Sequence, residues 1–133
     1  MNNIVEYMTE VLILLFVVIT FLQSGIDKMT DWKGNVSWLQ EHFKETFMGG
    51  MVPLLVGVIT LLELLAGGMA LVGIITVAIS GTTLLAFYSL VIAAITLLLL
   101  LFGQRVAKDY AGAFTIVGYF IVVVLGVFLL SWQ

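Results

Sequence analysis

The chain contains no cysteine, a single proline (Pro53) and a single histidine (His42). Without cysteine there is no disulfide framework, no thiolate-bound zinc, no iron–sulfur cluster and no catalytic thiol. One histidine with no thiolate near it makes a poor metal or haem ligand, so no metal is expected. Charge is scarce as well: charged residues are 10% of the 133, where a soluble domain carries roughly a quarter. The five basic residues form no patch for nucleic acid, and the net charge is −3. What fills the chain instead is hydrocarbon. Hydrophobic residues make up 62% of the sequence and the mean hydropathy is +1.23. Too little polar surface remains to clothe a water-soluble fold, so the outer face is expected to meet lipid, and the length fits one domain over residues 1–133.

A helix crosses about 30 Å of hydrocarbon with roughly 20 apolar residues. On that measure the sequence predicts an all-α integral membrane four-helix bundle, with spans at about 8–26, 52–72, 77–102 and 111–131. The first run could be mistaken for a signal peptide. It is preceded by Glu6 and Glu10 with no Lys or Arg and ends in Gln23-Ser24-Gly25-Ile26-Asp27-Lys28, so a retained helix is expected. The stretch 27–50 is the only long polar one. Within it Val36, Leu39, Phe43 and Phe47 recur at helical spacing, which predicts a short amphipathic helix at about 35–47, either lying in the interface plane or packed on the bundle end. Residues 51–103 contain one charge, Glu63. They are too long for one crossing, and the turn is expected between Gly73 and Gly81. Pro53 falls in a first helical turn, where its missing N–H costs little. Trp132 is placed to anchor an interface. All five basic residues, Lys28, Lys33, Lys44, Arg105 and Lys108, lie in the first and third connections. The positive-inside rule therefore expects loops 27–50 and 103–110 in the cytoplasm and both termini, marked by Asn2 and Gln133, outside.

Glu63 is the most informative residue, because an acid inside an apolar helix is expensive and is a functional candidate by default. Thr60, Ala66, Gly67 and Ala70 share its face, and small faces are where membrane helices approach closely. The third span carries a similar stripe, Thr82, Ala86, Ser89, Ala93 and Thr96. Folding the two antiparallel about Thr76 sets Glu63 level with Ser89 and Gly67 level with Ala86. Tyr119 on the fourth span comes within reach of the middle, and Tyr88 neighbours Ser89. Glu63, Ser89, Tyr88 and Tyr119 thus form the candidate buried polar site, with Thr60, Gly67, Ala70, Thr82, Ala86 and Ala93 as helix-packing residues. A carboxyl cut off from water is expected to be neutral unless a cation reaches it. Asp27 and Lys28 read as an interfacial pair that could also gate the polar end of the seam, and Lys28 and Arg105 lie too near the membrane surface to pair with Glu63 directly. Two roles for Glu63 stand: a carboxyl that locks helix packing, or one that handles a proton or ligand in a polar cavity. Ser24 and Ser89 have no histidine beside them, so nucleophilic hydrolysis is unsupported.

Two short motifs carry a family likeness. Gly25-Ile-Asp-Lys28 at the end of the first helix resembles the G-x-x-K element of the DoxX family. Leu62-Glu63-Leu-Leu-Ala-Gly-Gly-Met-Ala-Leu-Val-Gly73 is similar to that family's second-helix pattern, a Glu followed by a Gly-rich run. The resemblance implies a small bacterial inner-membrane protein of four helices, of a kind associated with quinone-linked oxidation or redox homeostasis in membrane complexes. It singles out Gly25, Lys28, Glu63, Gly68 and Gly73, and the lack of cysteine sets the chain apart from thiol-based relatives.

The leading functional expectation is a small membrane accessory subunit, without catalysis of its own, that packs against, stabilises or regulates a larger membrane complex of the respiratory or redox kind. The alternative is a quinone-reactive subunit of a membrane oxidoreductase, with Glu63 at the quinone or proton site. A carrier or channel is disfavoured by the small size. Expected partners are lipid and a larger complex or further copies of the chain, and quinone is the one cofactor considered.

Overall fold

The structure is a computed structural model that describes residues 2–131, with Asn2 through its backbone alone. Trp132 and Gln133 lie outside the described residues. The described chain is helical throughout and has no strand. Helices α1 (Asn2–Glu6) and α2 (Met8–Val17) lead through a π-helical turn, Val18–Leu22, into α3 (Gln23–Thr30). Helix α4 (Trp32–Phe43) and a 3₁₀ turn (Gly49–Met51) precede α5 (Val52–Ser80), α6 (Leu84–Val106) and α7 (Tyr110–Ser131). Four helices are long and apolar enough to cross a membrane: Met8–Thr30, Gly49–Ser80, Leu84–Val106 and Tyr110–Ser131.

Unbroken runs of Leu, Val, Ile and Ala leave these segments little but helix as a way to satisfy their backbone, and lipid would enforce it. Pro53 sits in the first turn of α5 as its chemistry requires. Helix α5 packs between the first span and α6; α6 packs on α7, and α7 returns to α2. Leu14, Val17, Ala66, Ala70, Ala86, Leu90 and Val123 are fully enclosed between them, while Leu54, Leu61, Ile79, Phe114 and Ile121 face outward.

Glycines set the closest approaches. A Cβ on Gly73 would lie 2.9 Å from Ala86 Cα, and one on Gly67 would lie 2.9 Å from the backbone N of Leu22. Gly25 is covered in turn by Leu64, and Gly126 by Leu90 and Ile13.

The turn differs from the sequence expectation. Helix α5 runs through Thr76 to Ser80, and the chain reverses at 81–83, where Gly81 takes the left-handed conformation (φ 71°) and its N–H closes the helix on the Val77 carbonyl. Gly73 serves a helix contact, not the turn. The antiparallel register therefore slides by about two helical turns. Gly73 now opposes Ala86, and Ala86 no longer stands level with Gly67. Thr82 is an exposed turn residue whose hydroxyl sits 2.9 Å from that of Ser80, so it does not belong to the packing stripe.

The first span also runs further than expected, to Thr30. At 1.5 Å per residue α5 is about 43 Å long, well beyond the hydrocarbon thickness. Leu22 meets Gly67 and Gly25 meets Leu64, so the start of α5 projects past the end of the first span, and α4 packs against it there. Helix α4 begins earlier and ends earlier than 35–47. The Thr46 hydroxyl and N–H both bond the Phe43 carbonyl and stop it. Val36, Leu39 and Phe43 turn inward as expected, whereas Phe47 lies beyond the helix, largely exposed, edge-on to Phe102. On the outer face of α4, Lys44 bonds Glu41 at 2.6 Å. That carboxylate raises the Lys44 pKa, but so exposed a pair adds little to stability.

Candidate functional site

Ser24 and Lys28 are one helical turn apart on α3, and both point toward α5. Lys28 Nζ donates to Ser24 Oγ at 2.7 Å, and the Ser24 hydroxyl donates to Glu63 Oε2 at 2.9 Å. Lys28 Nζ also stands 3.1 Å from Glu63 Oε1. That is ion-pair distance without the alignment of a hydrogen bond. Oε1 remains the one buried side-chain oxygen or nitrogen among the described residues that makes no hydrogen bond. The Glu63 side chain is 5% exposed and that of Lys28 18%, so the charges are largely withdrawn from water and depend on each other.

This overturns the sequence reading of Lys28. It is no interfacial partner of Asp27 held away from Glu63; it reaches the carboxyl directly. The first span continues as helix to Thr30. With Gly25 against Leu64, Lys28 lies about half a turn from the level of Glu63, and its four-carbon stem spans the remainder. The cation that sequence reasoning found lacking is supplied by the first span. Asp27 is exposed and lines the same cavity.

The cluster borders a cavity of about 520 Å³ whose walls include Thr20, Phe21, Gln23, Ser24, Asp27, Asn35, Glu63 and Tyr119. Tyr119 closes it from α7, its ring edge-on to Phe16 at 5.6 Å. Glu63 and Tyr119 are thus brought to one site. Ser89 and Tyr88 are not. Ser89 is fully buried and bonds the Ala86 carbonyl of its own helix at 2.7 Å, and Tyr88 is half exposed beside Phe87. Thr60 is buried and bonds the Val56 carbonyl at 2.7 Å. Ala70, Ala86 and Ala93 are buried at helix contacts as expected of them.

Sequence reasoning missed Ser24 as a partner for Glu63 and missed the cavity residues Thr20, Gln23 and Asn35. The i, i+4 spacing of Ser24 and Lys28 around Gly25 was the available signal. Apolar character fades at Ile26 while the helix continues to Thr30, so hydropathy alone hides that signal.

The π-helical turn lies just before this cluster. Such turns are rare and recur at functional sites. Here it brings the Leu22 backbone onto Gly67. Among the described residues no group of three or more His, Asp or Glu could hold a metal ion. No family model, curated protein or solved structure matches the chain.

Proposed function

We propose that the protein is a multi-pass membrane subunit of the DoxX type, a four-helix bundle that serves a larger redox complex and contributes to it a site for a quinone headgroup. The observation that carries this reading is the Lys28–Ser24–Glu63 cluster opening into a polar cavity with Tyr119 on the far wall. The volume lies in the range of small-molecule sites, roughly 300–1,000 Å³.

The chemistry of a quinone fits what the walls offer. A carbonyl oxygen needs a donor, and an ammonium has three N–H bonds, of which Ser24 takes one. A quinol hydroxyl needs an acceptor, and Glu63 Oε1, which meets the Lys28 ammonium at 3.1 Å, keeps a lone pair to offer. On this reading the complex supplies the electrons, and Lys28, Ser24 and Glu63 bind the headgroup and exchange its protons. The resemblance of residues 25–28 and 62–73 to DoxX motifs agrees with it, since Lys28 and Glu63 meet at the site and Gly25 packs against Leu64 beside it. A bacterial inner-membrane location, with the basic connections in the cytoplasm, belongs to the same proposal.

A second reading has its own support. The cluster ties the first span to α5 beside the close contacts at Gly25 and Gly67, as a purely structural lock in an accessory subunit would. Lys28→Met/Glu63→Gln in the native complex separates the two, since removing both charges leaves neither stranded. The quinone reading expects assembly with electron transfer to quinone lost. Assembly with full activity would leave only the lock.

A further inference from the structure

A second cavity, of about 360 Å³, lies beneath α4. Trp38, Leu39 and Phe43 roof it, and Val52, Val56 and Leu99 form part of its floor and side. Its walls are mostly hydrocarbon and aromatic, with Lys28, His42 and Gln104 the polar residues among them. Lys28 and Leu100 line both this cavity and the polar one. The two spaces therefore adjoin at the Lys28 side chain: a polar chamber that holds the Lys28–Glu63 ion pair on one side, and an apolar chamber on the other.

We propose that one elongated amphiphile occupies both, its compact polar head at Lys28, Ser24 and Glu63 and its long apolar tail beneath α4. The inference rests on the quinone reading and narrows it to long-tailed quinones. A headgroup alone would leave the apolar chamber unused. A simple acyl chain would leave Ser24, Glu63 and the Lys28 ammonium facing hydrocarbon across the polar cavity. Helix α4 is then the roof of a tail channel. Leu39 and Phe43 cover the tail, with Trp38 and His42 along it.

The test uses two photoactivatable benzoquinones with decyl tails, one carrying a diazirine at the end of the tail and the other on the ring. Each is added to the purified full-length protein in mild detergent, and adducts are mapped by mass spectrometry. The tail probe is expected to mark Trp38, Met48, Val52 and Leu99, and the ring probe Ser24, Leu97 and Tyr119, with an excess of unlabelled decylbenzoquinone abolishing both. Ile59→Trp, which fills the apolar chamber from α5, should remove the tail adducts and leave the ring adducts. If the ring probe marks its residues while the tail probe marks only outward residues such as Leu54 and Leu61, the tail channel is wrong and the headgroup site stands. If neither probe marks its chamber above those outward residues, both readings fall. Tail adducts at Met48 and Val52 that persist unchanged in Ile59→Trp would also overturn the channel. The adduct map of the unsubstituted protein decides the matter even if that variant does not fold.

Discussion

Lys28 and Glu63 neutralise each other where little else can solvate them, so the loss of either strands the other. Breaking a buried pair typically costs about 3–5 kcal/mol, whereas replacing both partners by apolar residues is often near neutral. Lys28→Met and Glu63→Leu are each expected to lower stability by an amount of that order, and the double variant to recover most of it. Thermal unfolding of the four proteins in one detergent measures this. A double variant no more stable than the singles would mean that the two side chains do not interact. Glu63 was legible in the sequence because it is the single charge between Met51 and Gly103. Lys28 was not legible as its partner. Hydropathy marks where a run of apolar residues fades, but a helix carries on past that point, and a lysine stem reaches about a turn further.

Adjacent glycines in α5 do different work. At Gly67 a side chain would meet the Leu22 backbone at 2.9 Å, while at Gly68 nothing lies within 4 Å. Gly67→Leu should force the first span off α5 and sharply reduce the yield of folded protein, and Gly68→Leu should be tolerated. Size-exclusion profiles of the two variants make the comparison. Similar profiles would contradict the close approach. Gly81 carries a conformational demand instead. At φ 71° an alanine costs about 1 kcal/mol, so Gly81→Ala should lower the melting temperature modestly without altering assembly. These roles could not be assigned from sequence. Gly73 and Gly81 both suit a turn, and choosing between them needs the packing partner, Ala86, which only the fold reveals. The small-residue face of α5 was read correctly. Its partners were not, because α5 shares that face between the first span and α6.

Taken as a whole, the molecule has two distinct ends. Phe47 against Phe102, Phe43 beside Gly103, and His42 at 3.7 Å from Asp109 gather the first and third connections at one end. The Asn3 amide, reaching the Ala78 carbonyl at 3.5 Å, puts the chain start beside the 81–83 turn at the other. All the Lys and Arg therefore belong to one end, apart from Lys28, which is drawn inward to Glu63. Single cysteines at the exposed positions Lys33 and Arg105 should react with an impermeant thiol reagent only after cells are opened, and one at Thr82 should react in intact cells. Labelling of position 33 but not 82 in intact cells would reverse the orientation.

The proposed function requires a quinone at Lys28, Ser24 and Glu63. Its most direct test is the quinone content of protein purified from native membranes in mild detergent, measured by solvent extraction and chromatography. The unsubstituted protein is compared with the Lys28→Met/Glu63→Leu double variant, which is expected to keep the fold while removing the polar head site. Quinone that accompanies the unsubstituted protein and is absent from the folded double variant is the predicted result. Equal quinone in both preparations, or none in either, would contradict the claim.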